Sequence, residues 1–123
     1  MIDVIYYAHS MTIYNTAREQ QELRALTMAF PNGCIYNPNC PYIETHKAPM
    51  SACFEVVKSF QVTGLAFSTA REDYISMGVY AEIRAAQKRP IPVFRIYSDG
   101  AVKLYHQKPQ LIKLKKTEQW AKV

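Results

Sequence analysis

No stretch of this 123-residue chain approaches the roughly 20 consecutive apolar residues that a bilayer-spanning helix needs, so a soluble protein without a membrane partner is expected. The opening Met1-Ile2-Asp3-Val4 has no basic segment ahead of an apolar one and no small-residue cleavage site. A secretory signal is therefore not expected, and a cytoplasmic setting is. Cysteine is scarce: Cys34, Cys40 and Cys53 are odd in number and form no C-x-x-C pair, which argues for reduced thiols over a disulfide framework. Cys34, Cys40, His46 and Cys53 could be gathered as a zinc set, but their gaps exceed the short spacings of zinc motifs. Neither a metal nor a cofactor is expected. Internal repeats, low-complexity tracts, helix-turn-helix patterns and aromatic-basic repeats are likewise absent. Acidic residues run out near the end of the chain, where after Asp99 only Glu118 stands against Lys103, Lys108, Lys113, Lys115, Lys116 and Lys122. Nearly all of the net charge of +5 lies there. Such a tail is either a solvated face or a general electrostatic attractor of phosphates and nucleic acid.

What is present fits one globular domain, with enough chain to bury a single core without staples. Ile2 to Ala8 is an apolar run rich in β-branched and aromatic residues, the pattern of a strand buried on both faces. It ends in His9-Ser10-Met11-Thr12, small and polar residues at the place where open α/β sheets bind ligands. Thr16-Ala17-Arg18-Glu19 has the form of a capping box, opening a helix to about Ala29 with Leu23, Leu26, Ala29 and Phe30 on its inner face. Pro31-Asn32-Gly33 stops it.

Cys34 to Tyr36 is a short second strand, followed by a long proline-punctuated loop to Pro49 that has the character of a lid. Met50 to Phe60 has helical spacing, and Val62 to Phe67 is a third apolar strand. Ser76 to Lys88 reads as a helix because Ile75, Val79, Ile83 and Ala86 make one apolar stripe. Glu82 lies off that stripe, one turn beyond Gly78, whose missing side chain leaves room above the carboxylate for a small ligand. Ile91 to Tyr97 and Ala101 to His106 are strands joined by the hairpin-type turn Ser98-Asp99-Gly100, and Leu111 to Leu114 is a candidate edge strand. Strand and helix alternating over four strands predict a single flavodoxin-like α/β domain of three layers. Its first, third and fourth strands are parallel and adjacent, and only the last hairpin is antiparallel.

Three short segments carry a family resemblance. Ile5-Tyr6-Tyr7-Ala8-His9-Ser10 resembles the first strand and loop, I-Y-L-A-G-P, of the nucleoside 2-deoxyribosyltransferase superfamily. Gly78-Val79-Tyr80-Ala81-Glu82 is similar to that family's G-T-x-x-E, whose Glu is the nucleophile, and Arg89-Pro90-Ile91-Pro92-Val93 stands where it has G-K-P-V. The resemblance covers the order of elements from about Met1 to Phe94. It implies Glu82 as nucleophile, a nucleoside or nucleotide as ligand, and at least a homodimer. Phe60-Gln61-Val62-Thr63-Gly64 has no acid where the family has Asp, and His9-Ser10 and Val79 replace Gly-Pro and Thr. These departures favour a rival reading, a catalytically silent nucleotide-binding protein on the same fold.

The chemistry agrees with the motif. Breaking an N-glycosidic bond passes through an oxocarbenium-like state, which a carboxylate on one face of the sugar stabilises or captures while an acid protonates the departing base. Glu82 suits the first role, and capture followed by attack of water or a second base gives net retention. Asp73 is placed to hydrogen-bond the sugar or base, and Tyr6 to orient Glu82. Against this stands the plain reading of Glu82 as an exposed helix carboxylate. His9 and Ser10, with the free amides near Thr16 and with Arg18 or Arg71, are candidates for an anion contact at a helix start. Tyr42, Ile43, Met50 and Phe54 exceed what so small a fold buries alone, which is a second reason to expect a dimer.

Overall fold

A computed structural model describes residues 3–39, 57, 61–70, 74–106 and 110–111. Seven strands are described: Val4–Ala8 (β1), Cys34–Tyr36 (β2), Gly64–Phe67 (β3), Tyr74–Ile75 (β4), Val93–Ile96 (β5), Val102–Leu104 (β6) and Gln110–Leu111 (β7). Two helices, Ala17–Ala29 (α1) and Met77–Lys88 (α2), and a 3-10 turn at Met11–Ile13 complete the described elements. The expected helix of Met50 to Phe60, apart from Val57, and the proline-rich loop from Cys40 onward lie outside the described residues. So do the lysines from Lys108 on, the proposed dimer residues Tyr42, Ile43, Met50 and Phe54, and three members of the zinc set.

The main sheet has the order β2-β1-β3-β5-β6, parallel except for the β5–β6 pair. Renumbered within the sheet, this is the 2-1-3-4-5 order of a flavodoxin-like, doubly wound domain. The first strand is interior as expected, although β3 and not β1 takes the middle place. Alternation along β1 divides its side chains: Tyr6 and Ala8 join the core under α2, with Leu65, Phe67, Val79, Ile83 and Val93, while Ile5 and Tyr7 join Leu26, Ala66 and Ile96 under α1. The sheet is therefore covered on both faces, in three layers. Val79 and Ile83, fully buried on α2, each contribute about 1.5–3 kcal/mol of burial.

Local chemistry explains the element ends. Ser76 caps α2 by accepting the Val79 amide at 3.3 Å. In the β5–β6 turn, Gly100 takes φ of +89°, the left-handed residue that closes a three-residue hairpin loop, and Asp99 accepts the Ala101 amide at 2.9 Å.

Three expectations are corrected here. Ile75 belongs to a strand and not to the helical stripe: β4 pairs in parallel with β7 in a separate two-stranded sheet, because the chain is extended up to the Ser76 cap. Leu111, the described part of the last strand candidate, lies with Gln110 in β7 and therefore joins β4 and not the edge of the main sheet. Finally, Ala29 is exposed, and α1 turns Glu19, Glu22 and Leu26 inward, so two carboxylates hold places that apolarity alone would not assign.

Candidate active site

In a doubly wound sheet the ligand crevice opens at the strand C-terminal ends where the winding reverses, here between β1 and β3. Tyr6 projects from β1 toward α2, and its hydroxyl donates a hydrogen bond to Oε2 of Glu82. Both side chains are buried, and Glu82 is 5% exposed. The plain reading of Glu82 as an exposed carboxylate is thereby overturned. Its place three residues after Val79 and three before Ala85 puts it on the shoulder of the buried face, where the sheet and not the stripe decides burial.

Burial raises the Glu82 carboxyl to a pKa of about 7, and the Tyr6 hydrogen bond pulls against that rise. At neutral pH such a group divides between acid and anion, which suits it to act as either a nucleophile or a proton donor. Tyr6 in turn stacks on Tyr36 of β2, with ring centroids 5.5 Å apart. Tyr6 lies in mid-strand and not at the strand end, so the pair sits below the lip of the sheet. Gly78 occupies the first turn of α2, one turn before Glu82. Asp73 and Arg71 lie outside the described residues.

His9 and Arg18 belong to a different network, on the α1 face. His9 Nε2 lies 2.7 Å from Glu19 Oε2 and its Nδ1 lies 3.1 Å from the Tyr7 carbonyl, while the ring stacks on Tyr7 at 3.7 Å. Glu19 also accepts the Asn15 amide at 3.1 Å and both oxygens receive Asn39 Nδ2, at 3.0 and 2.9 Å. Only half of the predicted capping box forms: Thr16 accepts the Glu19 amide, but the Glu19 carboxylate turns to Asn15, His9 and Asn39. Asn15 itself stands at φ of +62°, a conformation that asparagine tolerates. Burial would raise Glu19, but the hydrogen bonds from His9, Asn39 and Asn15 together outweigh it and hold the carboxyl below its ordinary value. Burial likewise keeps His9 below the usual histidine range, against the pull of Glu19 and the Tyr7 carbonyl.

Arg18 is engaged in structure. Its Nε donates to Glu22 Oε2 at 2.9 Å, its Nη2 to the Thr69 carbonyl and its Nη1 to the Ala70 carbonyl at 3.5 Å. Glu22 also accepts the Tyr7 hydroxyl, and burial first, then this carboxylate, raises the Tyr7 phenol. Arg18 thus ties α1 to the loop leaving β3, which continues toward α2. Ser10 caps the 3-10 turn, with its hydroxyl 2.9 Å from Thr12 Oγ1. The site residues therefore separate into a Tyr6–Glu82 pair with Gly78 on the α2 face and a His9–Glu19 network with Arg18 on the α1 face.

One residue passed over in the sequence reading emerges at the switch point. Ser68, immediately after β3, is fully buried, and its Oγ has no hydrogen-bond partner among the described residues. Its amide donates to the Ala8 carbonyl at 3.2 Å, which fixes it beside the end of β1. A lone serine at a strand end carries no sequence signal; only the crossing of β1 and β3 singles it out. Among the described residues no cluster of His, Cys, Asp and Glu could hold a metal ion, and no helix is long and apolar enough to cross a membrane. No protein-family model and no curated protein matches the chain.

Proposed function

We propose that this protein cleaves or transfers the N-glycosidic bond of a deoxynucleoside or nucleotide, with Glu82 as nucleophile and Tyr6 orienting it. The observation that carries this reading is a buried carboxylate on α2, beside the sheet's switch point, held by one hydroxyl and poised near neutrality. The Tyr6 hydrogen bond occupies Oε2, so Oε1 is the oxygen that attacks the anomeric carbon. As that bond forms, the carbon–nitrogen bond breaks and its electron pair leaves with the base, which takes a proton from an acid. Water or a second base, giving up a proton, then attacks from the face that the first base left, opposite Glu82, returning the carboxylate and giving net retention. Asp73, next in sequence to Tyr74 of β4, is the proposed contact to sugar or base.

Activity should rise with pH as Glu82 loses its proton near pH 7, because only the anion attacks. Incubation with a panel of deoxynucleosides and their monophosphates, followed by chromatography for free base, tests the reading. No base released by the wild-type protein at pH 8 would refute it.

A second reading has its own observation. The Tyr6–Glu82 bond also satisfies two buried polar groups and stitches α2 to β1, which a catalytically silent nucleotide-binding protein equally needs. Substitution separates the two, since only catalysis requires the anion. Homodimerisation belongs to the same proposal: Tyr74 of β4 and Met77 at the start of α2, 41% and 42% exposed, are apolar surface that a second copy would cover. Sedimentation at high micromolar concentration tests that, and a monomer would refute it. A cytoplasmic setting is proposed with it, on the reduced-thiol pattern of the cysteines.

A further inference from the structure

β2 is a three-residue edge strand whose ladder partner in the sheet is β1 alone. A strand so short, paired on one side, stands at the low end of local stability. Its exit is nonetheless tied on both faces of the sheet. On the α2 face Tyr36 lies directly across the register from Tyr6, and the two rings stack with centroids 5.5 Å apart and planes 15° from parallel. On the α1 face Asn39 Nδ2 donates to both Glu19 oxygens, at 3.0 and 2.9 Å, and to Asn15 Oδ1 at 3.2 Å. Between these two ties the chain turns tightly, since Asn37 Oδ1 accepts the Asn39 amide at 2.9 Å. Glu19 Oε2 in turn lies 2.7 Å from Nε2 of His9, which follows Tyr6 by three residues at the exit of β1. These contacts close a ring around the ends of the first two strands. Tyr6, the inner member of the stack, is fully buried and donates to Glu82, whereas Tyr36, the outer member, is half-buried. A hydroxyl points steadily at a carboxylate only while its ring is held, and the Tyr36 ring packs against the Tyr6 ring.

We infer that Tyr36 is a positioning residue for Glu82, acting through Tyr6, and that Asn39, gripped by Glu19, keeps Tyr36 in its place. The catalytic meaning of this rests on the proposed reading of Glu82, but the titration of the carboxyl needs no substrate. Burial raises the Glu82 carboxyl and the Tyr6 hydroxyl lowers it, so a loosened hydroxyl leaves burial less opposed and the carboxyl holds its proton to higher pH. A ring that merely fills space gives the opposite sign, because its loss lets water in and eases ionisation.

Carbon-13 NMR of the glutamate carboxyls of the full chain over a pH series tests the inference, with the Glu82 signal identified as the one that Glu82→Gln removes. Tyr36→Leu should raise the Glu82 midpoint by at least about half a pH unit, Asn39→Ala should raise it by less, and Tyr36→Phe, which keeps the ring, should restore the wild-type value. Asn39 is half-buried and tied to the opposite face, so its variant keeps the core intact even if Tyr36→Leu melts early. With Tyr6→Phe already made, Tyr36→Leu should add nothing, because the hydroxyl through which it acts is gone. Base release at pH 6 should fall about threefold in Tyr36→Leu, in step with the anion that remains. An unmoved or lowered midpoint in Tyr36→Leu, an equal rise in Tyr36→Phe, or a further rise in the Tyr6→Phe background would overturn Tyr36 as a positioning residue. An unmoved midpoint in Asn39→Ala would overturn the Asn39 tie. The expected shifts without base release from the wild type would uphold the positioning and defeat the Glu82 nucleophile. Base release with an unmoved midpoint in both Tyr36→Leu and Asn39→Ala would do the reverse.

Discussion

Replacing Glu82 by Gln tests burial and chemistry in one variant. In the folded protein the Glu82 carboxyl holds its proton to about pH 7, whereas in the unfolded chain it releases it near 4.5. A raised folded value means that stability is fully present below pH 4.5 and is lost progressively as pH climbs toward 7. The difference corresponds to about 3 kcal/mol at pH 8, since each pH unit of separation is worth about 1.4 kcal/mol. Gln keeps the shape and accepts the Tyr6 hydroxyl, but it has no proton to lose. The variant should therefore match the wild type near pH 4 and exceed it by up to about 3 kcal/mol at pH 8, less the cost of seating its amide. Urea unfolding at a series of pH values measures this directly, because a shift in midpoint at constant slope reports stability alone. In the same samples base release should fall by orders of magnitude, so that stability rises where activity is lost. A difference between the two proteins that stays constant from pH 4 to 8 would refute the account of burial. Full turnover in the variant would refute the nucleophile.

Tyr6→Phe removes the one hydroxyl shown to favour the Glu82 anion, so the acidic limb of the pH–rate profile should move upward by about one to two pH units. An unmoved limb would mean that Tyr6 does not tune Glu82. Glu19 works with the opposite sign: its folded value is depressed, so its contribution is present above pH 4.5 and is lost as pH falls. Glu19→Gln should cost about 1–3 kcal/mol at neutral pH, with the gap to wild type narrowing under acid in a denaturant titration. Arg18→Ala should cost about 1–2 kcal/mol, discounted for the partial exposure of the guanidinium, and should speed hydrogen exchange of the Ala70 amide, which donates to Tyr74 just beyond the anchored carbonyls. Unchanged exchange there would show that the arginine does not hold the loop.

The local pattern of the chain determined most of its elements. A run of β-branched and aromatic residues specified β1, an apolar run specified β3, Thr16 and Ser76 marked the helix starts, and Gly100 marked the β5–β6 turn, because each signal acts within a few residues of itself. The parallel order was legible for the same reason, since helices between apolar strands leave few ways to wind the chain. Partners distant in sequence were a different matter. Tyr6 and Glu82 are 76 positions apart, and the pairing suggested by resemblance became a contact only when α2 packed on β1. Periodicity alone placed Glu82 outside the apolar stripe and Ala29 inside one; tertiary packing reversed both, because burial depends on what lies opposite and not on the residue's own polarity. Glu19 and Glu22 took inward places that hydrophobic pattern reserves for apolar residues, for their hydrogen-bond partners come from β1, the β2 loop and α1 itself. The β4–β7 ladder and the seat of Ser68 beside the end of β1 were likewise decided by tertiary structure, since register between strands sets which residues meet and no window along the chain contains it.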